Sequence, residues 1–548
     1  MNGDPFFPLG VYFEQSHGGW YSHPNSWNEL ASNGFNVINL LDGHQNALDY
    51  GSRSIISADS TDLPWLSSRY DNPQNAQEIL TGAVGEGLYI IADHTPFIPD
   101  GGLALNGVRI RDYGDPINQA LRETIVDNLV SGWPQYGVSH DAFLGWGALD
   151  EPIWFWGPYE PNTYKGDAIP YNFSDVQNMF DTLIQPMYQY IKARDPDHIV
   201  VMNFAPAHGS AWLPDGDLVN PSVPPDDYEA VRQNYIRDLQ LYSTAADVVQ
   251  IEVLAINESG YTPRYRVFDN SNLSLGGDYT KLLVDEISQG QKPAWMELDV
   301  PYRTNGSYSE FRFLAYQAIV NGAGGLFWFG WHAVGPNDSD WLLVKELVRD
   351  ELSTDFFYPV LTAHTSSLPI SVDYVEDPTD PKPDIEWLLK EYAGYYYLMA
   401  VNRSPSATHH VTFGGFGSTV SSGEVLFESR NVSLSGGTFT DAFAPMGQPG
   451  SVHVYRIFQT SGTYREDVTW GPGMPPISGD ITIPSGVTLT ISPGTEVRFA
   501  ANSDDQHGGF VSDKCELIVE GTLDADGVTF RSDSGSPANS DWQGIRAA

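Results

Sequence analysis

Two adjacent carboxylates close an apolar run in the middle of the chain. Residues 143–152 read Phe-Leu-Gly-Trp-Gly-Ala-Leu-Asp-Glu-Pro. Phe143 to Leu149 has the length and character of a buried parallel strand. Asp150 and Glu151 follow at once, a costly pair to place at the end of a buried strand. Pro152 stops the strand and fixes the exit of the loop. Trp154, Phe155, Trp156 and Tyr159 come next. A carboxylic acid beside flat aromatic faces can hold a sugar ring and protonate its leaving oxygen. That chemistry asks for a second carboxylate, about 5–5.5 Å away if it attacks the anomeric carbon itself. Glu297 is the candidate. In Trp295-Met296-Glu297-Leu298-Asp299 the period of two places Trp295, Glu297 and Asp299 on one face and the apolar pair on the other. The plainer reading of Glu297 is a structural carboxylate paired with Arg303 or His332. Glu252, inside Val-Val-Gln-Ile-Glu-Val, is a third acid that could position a hydroxyl or support Glu297.

These residues need a scaffold that brings them together, and the chain up to about residue 355 repeats a strand–loop–helix pattern. Strands are expected at 6–13, 37–41, 88–92, 143–149, 199–203, 248–253, 293–300 and 325–331. Helices are expected at 26–33, 71–86, 116–131, 174–194 (with Pro186 as a kink), 227–243, 279–289, 309–320 and 341–352. Eight short apolar strands separated by helices predict an α/β fold, a (β/α)8 TIM barrel, rather than an open sheet. In such a barrel chemistry gathers where strands end and loops begin. The polar residues at those ends are Asp42, His94, Asp150, Glu151, Asn203, Glu252, Glu297 and Asp299. Glu151 and Glu297 come from strands three apart, so they can face each other across the barrel mouth. Asn203 and His94 are candidates for binding sugar hydroxyls, although strand-end polar groups also satisfy loop backbone. Trp328 and Trp331, closing the eighth strand, could floor a sugar site or simply fill a barrel layer.

The first 355 residues resemble the clan A glycoside hydrolases, retaining β-glycosidases built on a (β/α)8 barrel. The resemblance rests on the opening Asn2-Gly-Asp-Pro-Phe-Phe-Pro-Leu-Gly10, the strand-four Glu151-Pro152, the strand-seven Glu297 and the aromatic strand eight. It implies that Glu151 is the acid/base and Glu297 the nucleophile. That clan usually carries Asn before the acid/base to bind the sugar 2-hydroxyl, whereas this chain has Asp150. An acidic neighbour should raise the pKa of Glu151, which suits a general acid. The adjacent Asp-Glu is also similar to barrel β-N-acetylhexosaminidases, in which an Asp orients the substrate's own acetamido group as nucleophile. Under that alternative Asp150 is the orienter, Glu151 the acid, and Glu297 dispensable. A non-catalytic carbohydrate-binding protein on a degenerate barrel is a third possibility, against which both glutamates count.

From residue 356 the pattern changes. Beta runs at 369–376, 385–392, 394–402, 408–413, 424–433 and 451–458, separated by Gly, Ser, Asn and Pro, predict an all-β sandwich over 356–460. This resembles the small β-domain that often follows a clan A barrel. Residues 461–548 change texture again. Short strands closed by Gly or Pro, as in Asp480-Ile-Thr-Ile-Pro-Ser-Gly-Val-Thr-Leu-Thr-Ile-Ser-Pro-Gly494, read as rungs of a parallel β-helix. They resemble modules of secreted bacterial proteins, and the pattern stops mid-rung, so the module is expected to be truncated. Cys515 should pack inside it.

Composition narrows the function classes. The 548 residues carry 28 Lys+Arg against 70 Asp+Glu, a net charge of −42, which argues against nucleic acid or an anionic membrane as partner. No apolar run is long enough to span a membrane. One cysteine excludes an internal disulfide. No Gly-rich phosphate loop and no His-Glu-x-x-His or Cys cluster is present, so neither a nucleotide cofactor nor a catalytic metal is expected. The Asp-rich loop at Asn502-Ser-Asp-Asp505 is a weak Ca²⁺ signal in so acidic a chain. The expected partner is a carbohydrate; the oligomeric state is open. No signal-peptide pattern opens the chain, so the expected location, secreted, cell-surface or periplasmic, rests on the C-terminal module.

Overall fold

The computed structural model describes residues 5–14, 26–41, 82–93, 104–105, 108–109, 123, 142–150, 173–204, 206, 228–253, 255–256, 273–299, 306–329, 335–376 and 382–547. The chain divides into two compact units, Phe6–Thr354 and Asp355–Ala548, the first residues of the chain counting with the second.

In the first unit eight parallel strands close into a barrel: β1 (Leu9–Glu14), β2 (Val37–Leu41), β3 (Tyr89–Asp93), β4 (Phe143–Asp150), β5 (Ile199–Phe204), β6 (Val248–Val253), β7 (Ala294–Asp299) and β8 (Leu326–Phe329). Neighbours in sequence are neighbours in the sheet, and β8 pairs with β1. The expected TIM barrel is therefore present, with strand ends displaced by at most three residues. Two glycines let the wall close. A Cβ at Gly145 would stand 2.3 Å from the Ile199 carbonyl oxygen on β5, and one at Gly10 would stand 2.3 Å from the Phe327 ring. Glycine admits that close backbone and ring approach.

Outside the barrel, described helices include α1 (Ser26–Ser32), α2 (Tyr228–Ser243), α3 (Tyr308–Val320) and α4 (Ser339–Leu347). The helix expected at 174–194 spans 173–194, and directly before Pro186 its backbone widens into a π turn, Phe180–Ile184. Pro186 has no N–H to give the carbonyl four residues earlier, so that turn cannot keep the ordinary α pattern. The helix expected at 279–289 begins earlier, at Leu275. α3 starts with a capping box between Ser307 and Glu310. The helices expected at 71–86 and 116–131 fall mostly outside the described residues.

In the second unit, Ile385–Tyr392, Tyr395–Asn402 and Val452–Phe458 form the middle of a six-stranded antiparallel sheet, which faces a three-stranded one of Ser371–Asp373, His409–Gly414 and Thr438–Phe443. Leu398, Phe413, Phe439, Phe443 and Tyr455 share the core between them. The run expected at 424–433 is two strands, Ser422–Val425 and Arg430–Ser433, because the chain reverses through left-handed residues Phe427 and Ser429. Thr438–Phe443 lies outside the expected runs. It exposes Thr438 and Thr440 and buries Phe439 and Phe443, the period of a half-buried strand.

Beyond it, parallel pairings stack Gly462–Thr463, Ile481–Ile483, Glu516–Val519 and Gly544–Ala547 in one sheet. Val468–Trp470, Thr488–Ile491 and Thr522–Asp524 form a second, and Glu496–Phe499 with Thr529–Ser532 a third. These are the expected β-helical rungs. Cys515 is fully buried among Ile477, Leu489, Phe499 and Leu517, and burial, helped by Asp504 and Asp480, pushes its thiol up to about 12. The sandwich and the rungs belong to one compact unit; the Ser418 backbone N–H and hydroxyl donate to Asp505 at 2.9 Å each.

The buried carboxylates Asp480, Asp504, Glu516 and Asp541 lie in this stack. Burial, with Asp504 and Glu516 adding to it, pushes Asp480 up to about 6, against the pull of the Glu516 N–H that it accepts. The folded state thus holds a proton that the unfolded chain releases near pH 4. This contribution to stability is complete below that pH and is lost as the pH rises through about 6. Asp480→Asn should therefore melt about 2 °C higher than the natural chain at pH 7 and no higher at pH 4, read by hydrogen exchange of residues 477–547 in the full-length protein.

Candidate active site

The strand register decides which side chains enter the barrel. Gln250 on β6 donates to the Tyr12 hydroxyl of β1 at 2.9 Å, a contact across the lumen. The cross-strand pairs Tyr12↔Asn39, Asn203↔Gln250, Gln250↔Trp295, Glu252↔Glu297 and Glu297↔Phe327 extend that face around the wall. Glu297 is fully buried, on the lumen face where the alternation of its strand puts it. Its Oε2 accepts one N–H from Asn203 Nδ2 and one from Gln250 Nε2, each at 3.0 Å. Two amide donors on one carboxylate oxygen favour the ionised form. Neither Arg303 nor His332 lies within the described residues.

Glu252, half-buried, is the register neighbour of Glu297 on β6. Asp299, next on the same face of β7, accepts the Ile256 backbone N–H at 2.8 Å and so ties down the segment after β6. At the end of β4 the register slips between Gly147 and Asp150, and Asp150 pairs with Asn203. The bulge thus puts the backbone of Asp150 beside the strand whose Asn203 holds Glu297. Asp42, His94, Glu151, Trp154, Trp156 and Trp331 lie outside the described residues.

Trp328 is a correction. Phe327, not Trp328, faces the lumen, edge-on to Tyr12 and tilted against Trp295. Trp328 is buried on the outer side, edge-on to Phe35, which stacks on Trp341 of α4. The period of two allows only one of two consecutive residues into the barrel, so Trp328 cannot floor a sugar site there. The barrel residues that the sequence reading passed over are Tyr12, Asn39 and Gln250, all buried. A signal existed for Gln250: it is a polar residue in an apolar strand, two positions before Glu252 and so on its face. Among the described residues no group of three His, Cys, Asp or Glu side chains is arranged to hold a metal ion, and no helix is long and apolar enough to cross a membrane.

No protein-family model matches the chain, and no curated protein matches it. Among solved structures, a β-galactosidase from Bacillus circulans sp. alkalophilus is similar at 10% identity, covering 83% of this chain and 99% of that one with a TM-score of 0.46. A GH30 endoxylanase from Clostridium papyrosolvens C71 gives 12% identity, 83% and 97% coverage and a TM-score of 0.39. An α-amylase from Geobacillus thermoleovorans gives 11% identity, 83% and 99% coverage and a TM-score of 0.42. The likeness is one of fold. The chemistry of this barrel is read from its own residues.

Proposed function

We propose that the barrel hydrolyses a β-linked glycoside with retention, Glu297 attacking the anomeric carbon and Glu151 serving as acid and then base. The observation that carries this reading is the buried Glu297 carboxylate, held by Asn203 and Gln250 on the lumen face two residues before the end of β7. A buried carboxylate held by N–H donors is kept ionised and oriented, which a nucleophile requires. Glu151 supplies the other half: it follows Asp150, whose backbone is in register with Asn203. An acid there would protonate the leaving oxygen in the first step and deprotonate water in the second. No metal or organic cofactor enters these steps. Asp150 and Glu252 are then substrate-binding groups, as are His94, Trp154, Trp156 and Trp331. The two β modules are accessory, at 356–460 and 461–548, and the solenoid pattern supports a location outside the cytoplasm.

The test is Glu151→Gln. Turnover on an alkyl β-glycoside, whose leaving group needs protonation, should fall by roughly 10³-fold, and much less on a nitrophenyl β-glycoside. Equal activity of Glu151→Gln and the natural chain on the alkyl substrate removes the assignment. The first product seen by proton NMR should be the β anomer; an α anomer means a water, not Glu297, attacks.

A further inference from the structure

The chain carries 28 Lys+Arg against 70 Asp+Glu, and several of these few cations are tied to backbone carbonyls or buried acids. Lys192 donates to the Pro196 and His198 carbonyls at 3.1 and 2.7 Å and to Asp247 at 3.0 Å. Lys292 donates to the Ser243 and Ala246 carbonyls at the end of α2. Lys390 donates to those of Leu361 and Ala363 at 3.2 and 2.8 Å. A lysine held by carbonyls is well placed at a helix end, yet it neutralises no carboxylate there. Lys345 is buried on Glu29 and the Pro336 carbonyl, and Arg312 is buried on Glu351. The acids left over are on the surface. Asp197, Glu346, Asp513, Glu520, Asp524 and Asp526 are exposed and form no ion pair. Three of them lie together in the rungs, where residues 515–530 contain neither Lys nor Arg. Glu516 in that stretch is paired, with Arg546 at 3.0 Å. The row through Asp524 continues on earlier rungs as Thr490 and Thr469, so it brings Asp524 no cation.

We infer that the folded chain depends on salt: its surface carboxylates repel one another, and monovalent salt near molar concentration stabilises the compact state by screening them. Screening acts over about 10 Å at 0.1 M ionic strength and about 3 Å at 1 M. Successive rungs are about 4.8 Å apart, so at the lower value acids on neighbouring rungs still repel. Unfolding spreads the same charge over a larger volume, and self-repulsion therefore favours the unfolded chain when salt is dilute. Buried pairs such as Arg312–Glu351 are screened far less than exposed charges. Added salt thus removes surface repulsion while the interior ties persist. The medium that suits such a surface is saline. This inference is independent of the reading of Glu297 as nucleophile.

The experiment is thermal unfolding of the full chain at neutral pH, followed by circular dichroism in potassium chloride from about 0.1 M to about 1 M. The midpoint should rise by about 10 °C over that range. Potassium thiocyanate at about 0.3 M should raise it as chloride does, because screening counts only ionic charge. Stabilisation through exclusion of the salt from the protein surface would instead separate the two anions. The variant Glu520→Gln/Asp524→Asn/Asp526→Asn should melt about 2 °C above the natural chain at the low salt and level with it at the high salt. A midpoint that stays flat or falls as chloride increases overturns the inference. So does a rise in chloride accompanied by a fall in thiocyanate, which assigns the effect to exclusion. Both of these outcomes are read on the natural chain and hold whether or not the variant folds.

Discussion

Glu297→Ala is expected to lower turnover on aryl β-glycosides by roughly 10⁴- to 10⁶-fold, the range found when a covalent nucleophile is removed. The substitution leaves a cavity the size of a carboxylate beside Asn203 and Gln250, whose N–H groups now point at it. A small anion fits that cavity and those donors. Azide should therefore restore part of the rate by attacking the anomeric carbon while the aryl oxide leaves, and the product should be the α-glycosyl azide, one inversion in place of two. A panel that includes the N-acetylglucosaminide separates the alternatives. If Glu297→Ala keeps most of its activity and only the N-acetyl sugar turns over, the substrate's acetamido group is the nucleophile, and Asp150 and Glu151 carry the reaction.

The second large effect is on stability. Arg312 on α3 and Glu351, in the turn that continues α4, form a buried ion pair, Arg312 Nε lying 2.8 and 2.9 Å from the two carboxylate oxygens. The Tyr308 and Tyr316 hydroxyls donate to the same carboxylate at 2.7 and 2.8 Å. Burial and then the Glu351 charge hold both phenols above their usual range. Burial alone would pull Arg312 down, but Glu351 outweighs it and the guanidinium stays charged. Glu351→Ala takes the carboxylate away from a buried guanidinium and removes an acceptor from two phenols. It should cost about 3–5 kcal/mol of barrel stability, measured by urea unfolding. The double variant Arg312→Met/Glu351→Leu should recover most of the loss, since the penalty lies in the unpaired charge and not in the missing attraction. A double variant as unstable as Glu351→Ala alone would place the cost in packing instead.

The spacing of apolar runs was enough to read the barrel. Each of the eight strands is an apolar stretch too short for a helix and bounded by turn residues, and such strands can be satisfied only with both faces covered. The same local logic revealed the rungs after residue 479, where Gly and Pro recur at the end of each short strand. Within a strand the period of two is equally local, so the face of Glu297 followed from Trp295 and Leu298 alone. The period did not settle Trp328, offered as a sugar floor or a barrel-layer residue: nothing in Gly-Leu-Phe-Trp-Phe-Gly-Trp marks which aromatic enters the lumen.

The partners of Glu297 were decided by tertiary structure. Asn203, Gln250 and Tyr12 come from β5, β6 and β1, and only the closure of the barrel and the register between its strands bring Asn203 and Gln250 to 3.0 Å from Glu297 and Gln250 to 2.9 Å from Tyr12. Register is a property of pairs of strands, fixed by how side chains of both walls fill one interior, and no single segment carries it. The slip at Gly147–Asp150 is of the same kind. The sequence determined that a carboxylate would face the interior of a closed barrel; the packing of eight strands determined which two amides hold it, and that both bind the same oxygen.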